Sequence, residues 1–511
     1  MRAGTWIGFA AMCVGMFMAI LDVQVVATSL PTIQDALGIA PDRMSWVQTA
    51  YLIAEVIAIP LTGFLTRALS MRWLFVLAIG IFTLASLGCA ASGSFSALIL
   101  WRVAQGFSAG TLIPAVFSAV FLLFPTSRQD IATMLAGVLA VLAPTVGPVV
   151  GGWVTETYSW HWLFLINFVP GIVSAGLAGA LLPKTRMRLD QVRTLDIASL
   201  CLLAIALAAL EIALKQAPEL GWTSGLVTGL LVLSIAGMAG FVRRTLRASH
   251  PIVDLRSFAD RRFTIGCILS FVLGIGLFGS VYLMPVFLAF VRHHDALEIG
   301  TIMLVTGIAQ LGMAPIAVAL EQRIDARLLT AVGFVLFGVG LGLSAWQTRH
   351  TDYDEMFWPQ VIRGLAIMFC LLPPTRLALG HLHMLRVPDA SGLFNLMRNL
   401  GGAIGLALID TIIYSRAPVD GVAIAHRLKA GDMATARFVG IPLDVFAARW
   451  NKPIDAGTQA MLTSMIHDAA LTQAINDAWM MIAIVTIAAL ICVPFARLPP
   501  AARHIPPGGM G

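Results

Sequence analysis

Apolar runs long enough to cross a bilayer, about 20 residues each, recur fourteen times along the chain. They lie roughly at 5–30, 44–66, 72–92, 95–123, 129–153, 160–182, 195–214, 223–243, 262–290, 297–320, 327–347, 357–382, 389–415 and 472–497. The pattern predicts fourteen transmembrane helices and an all-α polytopic membrane protein. Two longer polar stretches interrupt it. Residues 244–261 predict a linker lying along the membrane. Residues 416–471 predict a long outside loop, and within it Met461, Leu462, Met465, Ile466, Ala469 and Ala470 recur at helical spacing. That segment is expected to be a helix that covers the outer rim or offers a docking surface. The first run continues past Asp22 without a small-x-small cleavage site, so it is read as a span rather than a removed leader.

Charge orients the spans. With the N-terminus inside, the inside loops carry Arg67, Arg72, Arg128, Lys184, Arg186, Arg188, Arg193, Arg243, Arg244, Arg247, Arg256, Arg261, Arg262, Arg323, Arg327, Arg386, Arg497 and Arg503. The outside loops carry only Arg43, Lys215, Arg292 and Arg349. This bias places both ends in the cytoplasm. Composition agrees: 58% of the 511 residues are hydrophobic and 12% charged, with a mean hydropathy of +0.86. The net charge of +6 belongs to cytoplasmic loops and calls for no nucleic acid. The six cysteines lie in apolar segments without a Cys-x-x-Cys pair, so they read as small buried hydrophobes, not metal ligands. No Gly-x4-Gly-Lys-Ser/Thr loop occurs, so ATP use by this chain is not expected.

Span 5 departs from the apolar pattern. It reads Met134 to Gly152 with Pro144, Gly147, Pro148, Gly151 and Gly152. Gly147 and Gly151 share one face and admit a neighbouring backbone, and the prolines remove backbone donors and bend the helix. The segment is either a packing seam or a hinge between helices that rock. A faint echo occurs in span 13 (Gly392, Gly401, Gly402, Gly405). Spans 4 and 12 also correspond, with Arg102, Gln105, Gly106 and Pro114 against Gln360, Arg363, Gly364 and Pro373. The echo divides the chain into a six-helix half at 1–194, two inserted helices at 195–243, the linker at 244–261, and a second six-helix half at 262–511 that includes 416–471.

Charges inside a bilayer cost a few kcal/mol each and need a reason. Here they are Asp22, Glu55, Arg102, Arg363, Arg398 and Asp410, with Glu211 near an outer end. A buried Asp near an Arg can bind and release a proton as its surroundings change, or can be a static pair tying spans 1 and 4. Glu55 can attract a cation, take a proton, or be a structural hydrogen-bonding group. Asp410 and Glu211 can reach water at the span ends. Gln24, Gln105, Gln310, Arg363, Asn395 and Arg398 are candidates to line a central cavity.

Four stretches resemble the major facilitator superfamily, and more closely its fourteen-helix drug:proton antiporter branch of the EmrB/QacA type. They are Leu21–Pro31, Arg102–Pro114, the span-5 segment and Ala390–Gly402. The resemblance implies the major facilitator fold, Asp22 as the proton-coupling carboxylate with Arg102 as its partner, and Gly147, Pro148, Gly151 and Gly152 as the antiporter seam. It implies no cofactor, with the proton gradient as driving force. It also implies a possible periplasmic adaptor and outer-membrane channel as partners. The chain departs from the pattern at Ala143, where the motif has its first glycine. It departs again at Arg67, where the superfamily has an Asp, and at Ser70-Met71, where it has Gly-Arg. The charge relay of that loop is therefore expected to be altered or absent.

The expected function is proton-coupled efflux of amphipathic toxic compounds across the bacterial inner membrane, since many Met and Phe residues suit varied cargo. The alternative is a dedicated exporter or importer of one metabolite such as an aromatic acid or siderophore, to which Arg363 and Arg398 point. No nucleophile–base motif or metal-ligand cluster supports a membrane-embedded enzyme or receptor.

Overall fold

A computed structural model describes residues 3–39, 44, 46–185, 187–188, 195–248, 251–449 and 456–496. The expected loop charges Arg43, Arg186, Arg193, Arg497 and Arg503 lie outside the described residues. Thirteen helices among the described residues are long and apolar enough to cross a membrane. One of them, Trp46–Ala90, is 45 residues long. At about 1.5 Å per residue it measures twice a bilayer, so it must turn back. It does so at Ser70, which has φ 69 and ψ 156, a conformation that ordinarily falls to glycine. The run therefore holds two crossings, α2 (46–69) and α3 (71–90), and fourteen spans result.

The others are α1 Ala3–Thr28, α4 Phe95–Leu123, α5 Thr126–Thr157, α6 His161–Leu181, α7 Ile197–Leu220 and α8 Gly225–Arg247. They continue with α9 Arg261–Phe290, α10 Ala296–Glu321, α11 Ala326–Leu343, α12 Tyr353–Leu379, α13 Val387–Lys429 and α14 Ala456–Ala488. The spans are organised as two six-helix halves with α7 and α8 inserted. One core gathers α1–α4 around Phe9, Tyr51, Phe75 and Phe117 and takes in Phe263 of α9, Ala378 of α12 and Phe394 of α13. The other gathers α9–α12 and α14 around Phe287, Phe334, Phe337 and Trp479. Leu84, Val169, Ile235 and Ile308 stand more than half exposed on the circumference, where lipid rather than water meets them.

The segment expected to be an outside loop differs from a loop. α13 runs on to Lys429 and α14 begins at Ala456, so the described residues of 416–471 are mostly helical extensions of two spans. Short helices Met433–Val439 and Leu443–Arg449 lie between them. Ile424, Leu428, Ala436, Val439, Phe446 and Ala469 form a small core of their own. The polar composition hid this cap because only one stripe of each helix is buried.

The inserted pair is pinned at its arginine-rich end. Asp196 caps α7 by accepting from the Ser199 amide (3.3 Å) and hydroxyl (2.7 Å), and it accepts 2.7 Å from Arg244 Nε of α8. The Arg244 guanidinium, joined by Ser199, holds the Asp196 carboxyl well below the usual carboxylate range. Asp196→Ala is expected to lower stability by about 1 kcal/mol, the usual worth of such a cap. A depressed pKa gives stability that is present above the unfolded value of about 4 and lost as pH falls through the folded one. The deficit of the variant, read by thermal unfolding in detergent, should thus stay constant from about pH 5 to 8 and shrink only below about 4.

Candidate functional site: a sealed carboxylate beside the span-5 seam

α4 is built to come close to α2. A side chain at Gly106 would run into the Tyr51 carbonyl, and one at Gly110 into the Glu55 carbonyl. Their four-residue spacing lets the two backbones touch. The approach carries Arg102, one turn before Gly106, to the Val47 carbonyl, to which its Nε donates at 3.0 Å. The guanidinium lies 4.2 Å from the Tyr51 ring centre and 5.9 Å from that of Phe164. Tyr51 in turn donates its hydroxyl to the Ala19 carbonyl of α1 at 2.9 Å, which fixes α1 in register.

Asp22 of α1 then faces Arg102. Arg102 Nη1 donates to Asp22 Oδ2 at 2.5 Å and to Gln105 Oε1 at 2.7 Å. Asp22 Oδ1 accepts from Gln105 Nε2 and Asn167 Nδ2, both at 2.9 Å. Gln105 Nε2 also reaches Ser86 Oγ at 2.9 Å. Three spans, α1, α4 and α6, thus meet at one carboxylate, and α3 joins the network through Ser86. Asp22, Ser86, Arg102 and Gln105 are all 0% exposed. These spans therefore seal Asp22 from solvent. Protonation removes the charge that Arg102 answers, while Val47, Gln105 and the Tyr51 ring still hold the guanidinium in place. The site can therefore couple one proton to a rearrangement of α1 against α4 and α6.

The seam lies directly beside it. α5 runs as one helix through Pro144 and Pro148. A Cβ at Gly147 would strike the Gln24 side chain, and Gln24 is two residues from Asp22. On its other side α5 meets the second half: a Cβ at Gly300 of α10 would strike Val149, and one at Gly307 would touch Thr145. Gly151 and Gly152 are buried in the same helix. α5 is thus the strip between the Asp22 span and the second half. Gly147→Leu is expected to reduce transport by an order of magnitude or more, because a bulky group cannot pass Gln24, with membrane insertion unchanged. Comparing transport with surface-normalised protein level checks this; full transport would make the seam mere packing.

The remaining sequence candidates are dispersed. Glu55 is buried and makes no hydrogen bond or ion pair with a described residue. It lies within electrostatic reach of Arg102 and of Glu211 on α7, so Glu211 is turned toward α2 rather than simply toward water. Asp410 also does more than reach water, since Tyr282 donates to it at 2.7 Å. Asn395 donates to the Ser391 carbonyl of its own helix at 2.9 Å. Gln310 is buried with neither amide atom bonded. Arg363 lies 4.8 Å from the Trp479 ring, and Arg398 stands between Phe117 and Phe394. Neither arginine has an acidic partner among the described residues.

Two groups escaped the sequence reading. Asn167 and Ser86 are single polar residues in apolar runs, a pattern too common to stand out. The second omission is a set of ion pairs across the halves at the arginine-rich end. Arg67 Nη1 donates to Asp389 Oδ2 of α13 at 2.5 Å, and Arg376 of α12 lies 3.5 Å from Asp130 of α5; Arg376 is also 4.0 Å from Glu321 of its own half. Where the sequence led one to expect an altered or absent relay, the structure has a pair whose cation comes from the end of α2 and whose anion comes from α13.

Comparison with known proteins adds the lineage of this arrangement. Residues 12–406 match the family model of the Major Facilitator Superfamily. The chain is 38% identical to a colistin resistance protein, EmrB, of Acinetobacter baumannii, over 94% of each chain. It is 32% identical to the multidrug export protein EmrB of Escherichia coli, over 80% of each. Among solved structures it is similar to the human organic anion transporter MFSD10, with a TM-score of 0.62 and 13% identity, covering 96% of this chain and 100% of that one. The last likeness speaks to the fold alone.

Proposed function

This chain belongs to the major facilitator superfamily, in its EmrB-like branch, and from that premise we propose that it expels amphipathic toxic compounds across the bacterial inner membrane in exchange for protons. The observation that carries the reading is the sealed Asp22–Arg102 pair at the junction of three spans, two residues from the contact between Gln24 and the seam. In the proposed cycle, a proton on Asp22 releases α1 from Arg102. The shift passes through Gln24 and Gly147 to α5, and through Val149 and Thr145 to α10 of the other half. Alternating access then follows from rocking of the halves about α5, with the proton gradient as the driving force and no cofactor.

Everted membrane vesicles carrying the protein test this directly. An imposed proton gradient should drive uptake of a fluorescent amphipathic drug, and an ionophore that collapses the gradient should release it. Uptake indifferent to the gradient would sink proton exchange. The helical cap over 416–471 is assigned to docking of a periplasmic adaptor, since Val419, Val422 and Met461 on it are more than half exposed. Co-purification of an adaptor with the intact protein, and its loss when these three residues are changed to Ser, is the expected result.

A further inference from the structure

We infer that the buried arginine of α12, Arg363, forms a carboxylate-binding subsite for the cargo, separate from the proton site. The inference rests on the reading of the chain as an exporter and names the chemistry of one end of what it carries. Arg363 is 3% exposed in the middle of a span. Its Nε has no acceptor, and its Nη2 has only the thioether sulfur of Met284, at 3.4 Å, a weak acceptor. No Asp or Glu among the described residues pairs with it. The other buried arginine of comparable depth, Arg102, has Asp22, and Arg67 at the arginine-rich end has Asp389. An arginine keeps its charge, and a lone buried charge is strongly unfavourable. Its side chain is nonetheless fixed, packed on the Trp479 ring and against Gly340, where a methyl group would collide with it.

The same arginine lines a small cavity of about 20 Å³, room for about one water molecule. Leu277 and Met303 contribute apolar wall, and Thr145, Ser280 and Thr306 contribute hydroxyl oxygens. Those of Ser280 and Thr306 already donate, to the Leu277 carbonyl at 2.9 Å and to Gln360 Oε1 at 3.1 Å. The guanidinium, with its Nε unpaired, is therefore a donor available to a ligand. In this conformation the space is too small for cargo; once the α5 wall moves back, one fixed cation beside apolar side chains suits an amphipathic molecule with a single carboxylate, which an arginine fork holds through two parallel bonds. Arg398 also has Nε and Nη2 without an acceptor, but two aromatic rings face its charge at 5.4 and 5.5 Å and it does not line this cavity. The place of the cavity links it to transport. Thr145 sits on α5 between Pro144 and Gly147, so one wall of the subsite is the seam whose opposite side touches Gln24. A movement of α1 at Asp22 would shift that wall and loosen or tighten the carboxylate.

The test uses the purified full chain in proteoliposomes with two matched tritiated probes, an alkylbenzoate and its neutral amide. Equilibrium binding and proton-driven transport are read separately. The wild type should bind the benzoate about tenfold or more tightly than the amide, a preference typical of a charge-assisted pair. Arg363→Gln should abolish that preference and leave amide binding unchanged, while Arg363→Lys should retain part of it. Equal binding of the two probes by the wild type, or an equal loss of both in Arg363→Gln at unchanged thermal stability, overturns the subsite. Arg363-dependent benzoate binding without any proton-driven transport would keep the subsite and remove the exporter reading. Transport of drugs with no Arg363-dependent benzoate binding would do the reverse.

Discussion

Asp22→Asn is expected to abolish uphill, gradient-driven efflux while leaving downhill equilibration of the drug. The accumulation ratio across everted vesicles should fall to about one, because a ligand cannot shift an equilibrium through a group it no longer binds. Asn preserves the size of the side chain and one oxygen for Arg102 Nη1, but it places an NH2 where Asp22 Oδ1 now accepts from Gln105 and Asn167. It also strips the buried Arg102 of its counter-ion. Breaking a buried pair from one side costs roughly 3–5 kcal/mol, so a lowered melting temperature is part of the expected result. Asp22→Glu separates the two effects. It keeps a titratable group and should retain coupled transport at reduced rate, whatever it does to stability. Gradient-driven accumulation by Asp22→Asn at wild-type level would assign the pair to structure alone.

Exchange of the charges at Arg67 and Asp389 has the second largest expected effect. Either single reversal, Arg67→Asp or Asp389→Arg, puts like charges where one ion pair now joins the halves at 2.5 Å. Asp389 is 5% exposed there and Arg67 30%. Half-open burial places the loss at roughly 2–3 kcal/mol, the low end for a buried pair. The arginine-rich side would then open far more readily, and transport should drop about 10- to 100-fold. The double variant, Arg67→Asp with Asp389→Arg, restores attraction with the polarity that the resemblance associates with this loop, and should recover most of the activity. Transport rates of the four proteins at equal membrane abundance form a double-mutant cycle. A double variant as impaired as the sum of the singles would mean that the pair does not latch the halves.

Much of the fold was legible in the chain because lipid leaves few choices. Every backbone group must be bonded within its own helix, so a run of some 20 apolar residues announces a span without help from its neighbours. α2 and α3 show where this stops. The sequence separates them at a polar loop, whereas the structure continues the helix to Ser70 and reverses it at one residue with a positive φ. The cap over 416–471 shows the converse. Only one of its helical stripes was visible, as the rest of its helices face water and carry polar residues.

The site was legible in part. Asp22 and Arg102 stood out because a charge in a span is unfavourable enough to demand a partner. Asn167 and Ser86 did not, since a lone amide or hydroxyl in a helix is cheap. The Arg67–Asp389 pair spans 322 residues of chain, and the resemblance gave only a missing Asp, with nothing to indicate that the anion had moved to the other half.

The sequence by itself determined the number of spans, the sidedness expected of their loops, the special character of span 5 and the identity of the charged pair, because hydrophobic length, arginine bias and the cost of a buried charge are local properties. The tertiary structure decided which uncharged groups complete the Asp22 network, which half answers Arg67, and that Arg363 has a cavity instead of a carboxylate in front of it. Those outcomes depend on how closely helices approach one another. That distance is set by the side chains absent at Gly106, Gly110, Gly147 and Gly340, and it can be read only once both neighbours are in place.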